Sequence, residues 1–293
     1  MELSLNEVDF VKKALKDGAK RLDHRALHDF RQVFLQPGQR PGQVMARIGD
    51  TKVYAAVTAD VVIPPLDRAF EGQLQVFVEV FPGAYPPDTL STDLDGSKMS
   101  LQRLLDRSIK MSKSVDTESL CILPGQRVWS IRVDVHVLDD DGSVGDAAVL
   151  AAMTALSMFK RPAVQVEEGQ VKVFSEFEKH PVPLTIMHFP FSCTFAFSST
   201  SVGEGDDQSG DTKMEDSSIT PKDLVLCDPS YMEEKALDGC MTIVMNRQGE
   251  LIGAIKAGGL PLAPDCIAEQ CMTLAKARTA YLHDAMMACV KAL

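Results

Sequence analysis

The clearest strand signal in the chain is the stretch Val128-Trp129-Ser130-Ile131-Arg132-Val133-Asp134-Val135-His136-Val137-Leu138. Four of its apolar residues alternate with polar ones, namely Ile131, Val133, Val135 and Val137. This period of two predicts a β-strand with one buried face. An Asp-Asp-Asp-Gly-Ser turn at 139–143 ends the strand. The small apolar residues at 147–159 then predict a helix that packs closely on a sheet, before Pro162 stops it.

The segments on both sides of this strand predict an α+β chain. Strand-like runs interrupted by Pro-Gly and Gly-Asp pairs lie at 33–35, 43–48, 52–62 and 73–81. Helical spacing of apolar residues occurs at 5–15, at 98–113 and after Pro264. The Pro-, Gly- and Asp-rich residues 82–96 predict a long loop. Further strands are predicted at 184–187, 193–197, 224–227, 241–245 and 251–257, the first two as a pair.

This order of elements predicts two lobes, each with helices packed on a mixed sheet. The first lobe is expected over 21–162 and the second over 183–293, with the last helix at its end. Six acidic residues and one lysine between Ser201 and Ser217 give that segment a charge of −5 out of the total of −11. Because it has few apolar residues, an acidic disordered loop is predicted at 201–218. The remaining charge is mild and leaves room for basic patches.

Cysteine, histidine and hydropathy point to a protein without disulfides, metal or another cofactor. The seven cysteines are odd in number and form no Cys-x-x-Cys pair, and the six histidines show no metal-binding spacing. The first residues lack the basic stretch followed by an apolar stretch that marks a signal peptide. No stretch reaches the ~20 apolar residues that are needed to span a bilayer. We therefore expect a soluble intracellular protein with no membrane partner.

Three segments together resemble the ribonuclease PH family, and within it the non-catalytic class of exosome ring subunits. The first is Arg21-Leu22-Asp23-His24-Arg25 with Arg31, similar to the family signature R-x-D-G-R…R but with histidine for glycine. The second joins Asp-Thr-Glu-Ser-Leu-Cys at 116–121 to the strand at 128–134. The third is Leu-Cys-Asp-Pro-Ser at 226–230, followed by two glutamates and an Asp-Gly pair. The likeness covers about residues 21–261 and implies the ribonuclease PH fold.

The resemblance also implies where an active relative holds phosphate, the nucleophile of phosphorolysis. In active members a Gly-(Thr/Ser)-Arg sequence in the turn before the small-residue helix binds the anion, together with the helix N-terminus. Val144 and Gly145 stand at the hydroxyl and arginine positions here, and Asp146 follows. Valine donates no hydrogen bond, glycine carries no charge and aspartate repels an anion. We therefore expect no enzymatic activity and no catalytic residue.

Asp238 stands near the place of the family's general-acid aspartate. The alternative is an ordinary Asp-Gly turn between a helix at 231–237 and the strand at 241–245. We favour the turn, because a lone carboxylate without a phosphate site has no partner for acid catalysis.

The helix at 98–113 is the best candidate for a retained function. Its apolar residues share one face, and another face carries four cations, Arg103, Arg107, Lys110 and Lys113. By pattern alone these cations form a solvated face, with the lysines favoured near the helix C-terminus. The resemblance instead implies RNA binding, because the corresponding helix of archaeal non-catalytic subunits contributes arginines that hold the RNA backbone.

The three arginines of the first segment and Trp129 each have two interpretations. The arginines either bind phosphate or pair with Asp23 or Asp29 at a contact between the lobes. Trp129, the only tryptophan, either stacks on a base or lies in the core or at a subunit interface.

The resemblance implies a structural and RNA-channel subunit of a ring that supports 3′ to 5′ RNA processing and degradation, including rRNA maturation and mRNA turnover. Its partners would be other ribonuclease PH-like ring subunits, cap subunits with S1 and KH domains, an associated exoribonuclease and single-stranded RNA. The nucleus, nucleolus and cytoplasm are the expected locations. One alternative is a phosphate-dependent 3′ to 5′ exoribonuclease, which residues 143–146 disfavour. Another is a stand-alone acidic regulatory protein that binds through residues 204–216.

Overall fold

A computed structural model describes residues 4–18, 21–84, 91–167, 170–175, 178–198, 224–256, 258–259, 261 and 267–291. The predicted acidic loop at 201–218 lies outside the described residues. Within these ranges no helix is long and apolar enough to cross a bilayer. The same part of the chain contains no cluster of His, Cys, Asp and Glu suited to hold a metal ion.

The first sheet is built around the strand that the alternating residues predict. Its strands are β1 (Val33–Pro37), β2 (Gln43–Ile48), β3 (Thr51–Val62), β4 (Gln73–Val80), β5 (Cys121–Leu123) and β6 (Arg127–Asp139). The order is β1-β2-β3-β6-β4, and β5 pairs with the start of β6. Only β4 runs parallel to its neighbour among these strands. The four alternating apolar residues of β6 are fully buried, as the period of two predicts.

The second half of the chain forms an antiparallel sheet and two small strand pairs. The small pairs are β7 (Lys160–Arg161) with β10 (Val182–Pro183), and β8 (Val164–Glu167) with β9 (Gln170–Val173). The sheet contains β11 (Phe191–Ser198), β12 (Leu224–Cys227), β13 (Gly239–Met245) and β14 (Leu251–Lys256). Its order is β12-β11-β13-β14, so β14 is an edge strand.

Five α-helices pack on these sheets in the described residues. They are α1 (Leu5–Gly18), α2 (Ser91–Leu105), α3 (Val144–Met158), α4 (Tyr231–Ala236) and α5 (Met272–Lys291). A π-helical turn, Asp106–Met111, continues α2, and a second π-helical turn, Ile267–Cys271, precedes α5. The α+β class predicted from the sequence is confirmed.

Two predictions of secondary structure are wrong. Residues 184–187 do not pair with β11, which instead lies between β12 and β13, and Ile186 forms only an isolated bridge to Val115. Every residue of β11 is buried, so its backbone groups need hydrogen-bonding strands at both edges, and β12 and β13 supply them. The predicted loop at 82–96 is wrong in its last part, because α2 begins at Ser91. Gly96 disfavours a helix by about 1 kcal/mol, and packing of the apolar face outweighs this.

Helix α3 joins the two sheets into one core. Twelve of its fifteen residues are buried, as expected for a helix that is apolar on all sides. The core continues from the first sheet through α3 to Phe191 and Val244 of the second sheet and to Leu282 and Met286 of α5. The first turn of α3 therefore lies where the two halves of the chain meet.

Candidate nucleic-acid interface

The arginines of the first quoted segment hold the two halves of the chain together. Arg21 Nη2 lies 2.6 Å from Glu233 Oε2 and donates to the backbone carbonyl of Asp228 at 2.8 Å. Arg25 pairs with Asp23 and also contacts the Asp228 carboxylate at 3.3 Å. Of the two interpretations, these contacts support the one between lobes. The main carboxylates, however, are Glu233 and Asp228 of the second half, which the sequence pattern did not single out as partners.

Arg31 is the central residue of this network. Its Nη2 lies 2.7 Å from Asp228 Oδ1, and its guanidinium donates to the carbonyls of Asp141 at 2.7 Å and Gly142 at 3.0 Å. Burial of Asp228 opposes its ionisation, but the hydrogen bonds and charge of Arg31 outweigh burial and hold the pKa of Asp228 below its ordinary value. Arg31 therefore fixes the turn before α3 to the start of the segment that leads into α4.

A carboxyl group of the chain itself closes the turn before α3. The backbone N–H of Ser143 donates to Glu234 Oε1 at 2.7 Å, and Ser143 Oγ donates to the carbonyl of Pro229 at 3.1 Å. Gly142 has a φ of 84°, and an added Cβ would lie 2.5 Å from the backbone of Ser230, so glycine is required there. Glu234 thus lies at the helix N-terminus, where backbone N–H groups attract anions.

The environment of Glu234 favours its protonated form. Burial raises the pKa of Glu234 to about 8, although the hydrogen bond from Ser143 acts in the opposite direction. The negative charges of Asp140 and Asp146 add to the rise. The side chain is still partly exposed to solvent, on the side of a neighbouring cavity.

Asp146, in the first turn of α3, forms structural hydrogen bonds in the folded chain. Its carboxylate accepts hydrogen bonds from the backbone N–H of Thr194 at 2.8 Å and from Thr194 Oγ1 at 3.0 Å. Burial, with a smaller contribution from the charge of Asp228, raises the pKa of Asp146 to about 6. The side chain therefore joins α3 to β11.

A cavity of about 280 Å³ lies in front of the turn, between α2, α3, β13 and β14. Its charged lining residues are Asp140, Glu234 and Lys235. Val144 and Gly145, which the resemblance sets at the hydroxyl and arginine positions of the phosphate site, also line it. Among the described residues that line this cavity there is no arginine. Its wall therefore carries two carboxyl groups and one cation.

Asp238 and Trp129 have structural contacts in the described residues. Asp238 lies in the turn between α4 and β13, where it pairs with Lys12 of α1 at 2.7 Å and accepts from Ser198 Oγ at 3.2 Å. It is not among the residues that line the cavity. Trp129 is buried in the core beneath the first sheet, which leaves no face for a base. The turn and core interpretations therefore fit the structure.

The four predicted RNA-binding residues are all exposed. They are Arg103 on α2, Arg107 and Lys110 on the π-helical turn, and Lys113 just after it. None of the four forms an ion pair with a carboxylate in the part of the chain that the structure describes. The buried arginines near the N-terminus, by contrast, are fully paired. These cations are therefore accessible to an external anion.

The π-helical turn divides the predicted stripe into two parts. A π-helix closes its hydrogen bonds over five residues rather than four, so residues three apart do not return to the same face. Arg107 borders a groove along Gly253 of β14, whereas Lys110 and Lys113 border a cleft with the segment at 65–75. The expected single cationic face is thus two adjacent faces, and the spacing argument failed because it assumed an uninterrupted α-helix.

Sequence reasoning also missed residues that the fold brings to these surfaces. Arg68 lines the same cleft as Lys110 and Lys113, but it is a single cation in a proline-containing loop and has no periodic pattern around it. Glu234 appears in the sequence only as one of the two glutamates of the third motif segment. The only feature of the sequence around it is the Asp-Gly pair that follows, and this pair does not predict a contact between Glu234 and Ser143.

Comparison with known proteins identifies the family. Models of the 3′ exoribonuclease family match the chain twice, domain 1 at residues 29–162 and domain 2 at residues 188–278. The chain is 35% identical over 267 residues to exosome complex component rrp45 of Schizosaccharomyces pombe, and the aligned region covers 91% of this chain and 84% of that protein. It is 34% identical over 285 residues to exosome complex component RRP45 of Homo sapiens, and the aligned region covers 97% of this chain. The chain spans only 60% of the human protein.

Solved structures show the same fold. A chain of the Archaeoglobus fulgidus exosome with RNA bound to the active site superposes with a TM-score of 0.74 at 28% identity, over 95% of this chain and 97% of that one. A chain of an archaeal exosome core gives a TM-score of 0.70 at 27% identity, over 95% of this chain and 96% of that one. These matches confirm the ribonuclease PH fold, and the chain belongs to the 3′ exoribonuclease family and, within it, to the Rrp45 (PM/Scl-type) group.

Proposed function

We propose that the chain is a non-catalytic subunit of an RNA exosome ring, which supports the assembly and guides RNA. The observation that carries the non-catalytic role is the hydrogen bond of 2.7 Å from the Ser143 N–H to Glu234. In this proposal Glu234 occupies the place at the start of α3 where an active relative would hold phosphate.

The charges around the turn support this assignment. A phosphate ion in the cavity would face Asp140 and Glu234 as well as Lys235, and Val144 and Gly145 offer it neither a hydroxyl nor a guanidinium. Protonation of Glu234 would remove one negative charge, but the carboxyl group would still occupy the Ser143 N–H. Asp238, paired with Lys12 outside the cavity, has no access to a reacting phosphate there.

The accessible cations support the RNA-guiding role. Arg103 lies exposed on α2, Arg107 and Lys110 on the π-helical turn and Lys113 just after it. None of the four has an ion-pair partner among the described residues. Phosphate contacts by such cations bind nucleic acid without regard to its sequence. A subunit that guides RNA needs contacts of this kind along the path of the backbone.

The relatives are named as components of an exosome complex, which supports a proposal about partners. We infer that the chain contacts other ribonuclease PH-like subunits through two different surfaces, as a closed ring of unlike subunits requires. Cap subunits with S1 and KH domains, an associated exoribonuclease that supplies hydrolysis, and single-stranded RNA complete the set. The nucleus, with the nucleolus, and the cytoplasm are the proposed locations.

A phosphorolysis assay tests the non-catalytic role. The full chain, alone and in the reconstituted ring, is incubated with single-stranded RNA in phosphate buffer and in phosphate-free buffer, with a phosphate-dependent relative as the positive control. We expect no release of nucleoside diphosphates that depends on this chain. Phosphate-dependent release that disappears in Asp238→Ala would contradict the proposal and establish the enzyme alternative.

A further inference from the structure

A groove with a mixed polar and apolar lining lies between the π-helical turn and the edge strand β14. Its volume is about 300 Å³. The residues that form its mouth and walls are Arg107, Met111, Val244, Ile252, Gly253 and Ile255. The groove is separate from the cavity in front of α3, although Ile255 borders both.

The groove is open because Gly253 has no side chain. A Cβ built at Gly253 would meet no atom within 4 Å, and the residue is not in the left-handed region that demands glycine. The two hydroxyls at the groove already donate to backbone carbonyls, Ser108 to Leu104 at 2.8 Å and Ser112 to Ser108 at 2.6 Å. The two side-chain hydroxyls are therefore already engaged, and Met111, Ile252 and Ile255 supply the apolar part of the lining.

The charges beside the groove favour a nucleic-acid occupant. Arg107 stands at the groove, exposed and without an ion-pair partner in the described ranges, and Met111 beside it is 73% exposed. Proteins that bind single-stranded nucleic acid combine a cationic path for the backbone with side chains on which the bases stack, most often aromatic ones. In this groove the side chain next to the cation is the apolar Met111. An apolar peptide would bury the groove but leave the cations next to it unmatched.

We propose that this groove is a slot for one nucleobase of single-stranded RNA, with Arg107 on the adjoining phosphate. A cavity of about 150 Å³ already holds benzene, so the groove is large enough for a base. The base would lie against Met111 and the open face at Gly253. This inference rests on the proposed RNA-guiding function and deepens it by assigning a base contact to the same surface.

The test compares two probes on the reconstituted ring, a labelled oligoadenylate and an abasic strand of the same length, which keeps the phosphates and lacks the bases. Gly253→Ile fills the slot with a residue suited to a strand. It should weaken oligoadenylate binding about fivefold or more, and leave abasic-strand binding and the salt dependence unchanged. Gly96→Ile is the matched control, because a Cβ at Gly96 also meets no atom within 4 Å.

Two further variants keep the test decisive. Met111→Ala removes one wall at an exposed site and should also weaken only oligoadenylate binding, so the inference can be tested even if Gly253→Ile does not fold. Arg107→Gln should weaken binding of both probes and lower the salt slope by about one unit.

Three results would overturn the inference in distinguishable ways. If Arg107→Gln weakens both probes while Gly253→Ile and Met111→Ala change neither, the base slot is wrong and the RNA-guiding function stands. If none of the three variants changes RNA binding by an intact ring, the proposed RNA-guiding role of Arg107 fails as well. If folded Gly253→Ile no longer enters the ring, the groove receives a neighbouring subunit instead of a base.

Discussion

Replacing Glu234 with glutamine should remove a pH dependence that this buried carboxyl group imposes on stability. The pKa of Glu234 is about 8 in the folded chain, against an ordinary value of 4.5. Between these two values the folded chain keeps a proton that the unfolded chain releases. The free energy of unfolding of the natural chain therefore falls as the pH rises from mildly acidic to mildly alkaline.

The structure sets the size of this effect. A carboxyl group that keeps its proton in the folded chain and loses it in the unfolded chain costs about 1.4 kcal/mol of stability per pH unit between the two pKa values. The Glu234 side chain keeps partial contact with solvent in the cavity, and screening there narrows this pH range without changing the slope within it. Glutamine still accepts the Ser143 hydrogen bond but never ionises, so Glu234→Gln should be the more stable chain at alkaline pH.

Urea unfolding of the full chain over this pH range measures the effect. The control is Glu118→Gln, because Glu118 is exposed and its replacement should leave the natural slope. Below about pH 6 a residual slope should persist in Glu234→Gln, since the pKa of Asp146 is also raised, to about 6. Equal slopes for the natural chain and Glu234→Gln at neutral and alkaline pH would refute the reasoning and would mean that Glu234 is ionised in the fold.

Three further predictions follow from the same contacts. Arg31→Ala should lower the free energy of unfolding by about 3 kcal/mol in urea, because the buried Asp228 carboxylate loses its main cation and keeps only the contact with Arg25 at 3.3 Å. The exposed Arg47→Ala should cost no more than about 1 kcal/mol. Arg107→Glu with Lys110→Glu should weaken RNA binding by the reconstituted ring and lower its salt slope by about one unit for each lost contact, and an unchanged slope would make these cations merely solvated surface. Deletion of residues 204–216 should leave folding and ring assembly intact, and loss of soluble protein or of partner binding would contradict the prediction made from composition.

Local patterns predicted much of the fold. The alternation at 128–138 predicted β6, and the small apolar residues at 147–159 predicted α3 with its start displaced by a few residues. The errors lie where local composition and tertiary packing disagree. Gly96 made α2 look like a loop, and residues 184–187 had strand-like composition although only Ile186 forms a bridge.

The sequence by itself determined the α+β class, the family and the residues of the site that belong to motifs, because periodicity and motif spacing act over a few neighbouring residues. Tertiary structure decided which groups meet. Arg31 pairs with Asp228, 197 residues away, and the Ser143 N–H with Glu234, 91 residues away. A periodic pattern contains no information about such distant contacts, because they depend on how α3 brings the two sheets together. The tertiary structure also contains the π-helical turn, which places Arg107 and Lys110 on different surfaces. Spacing rules for α-helices do not predict this separation.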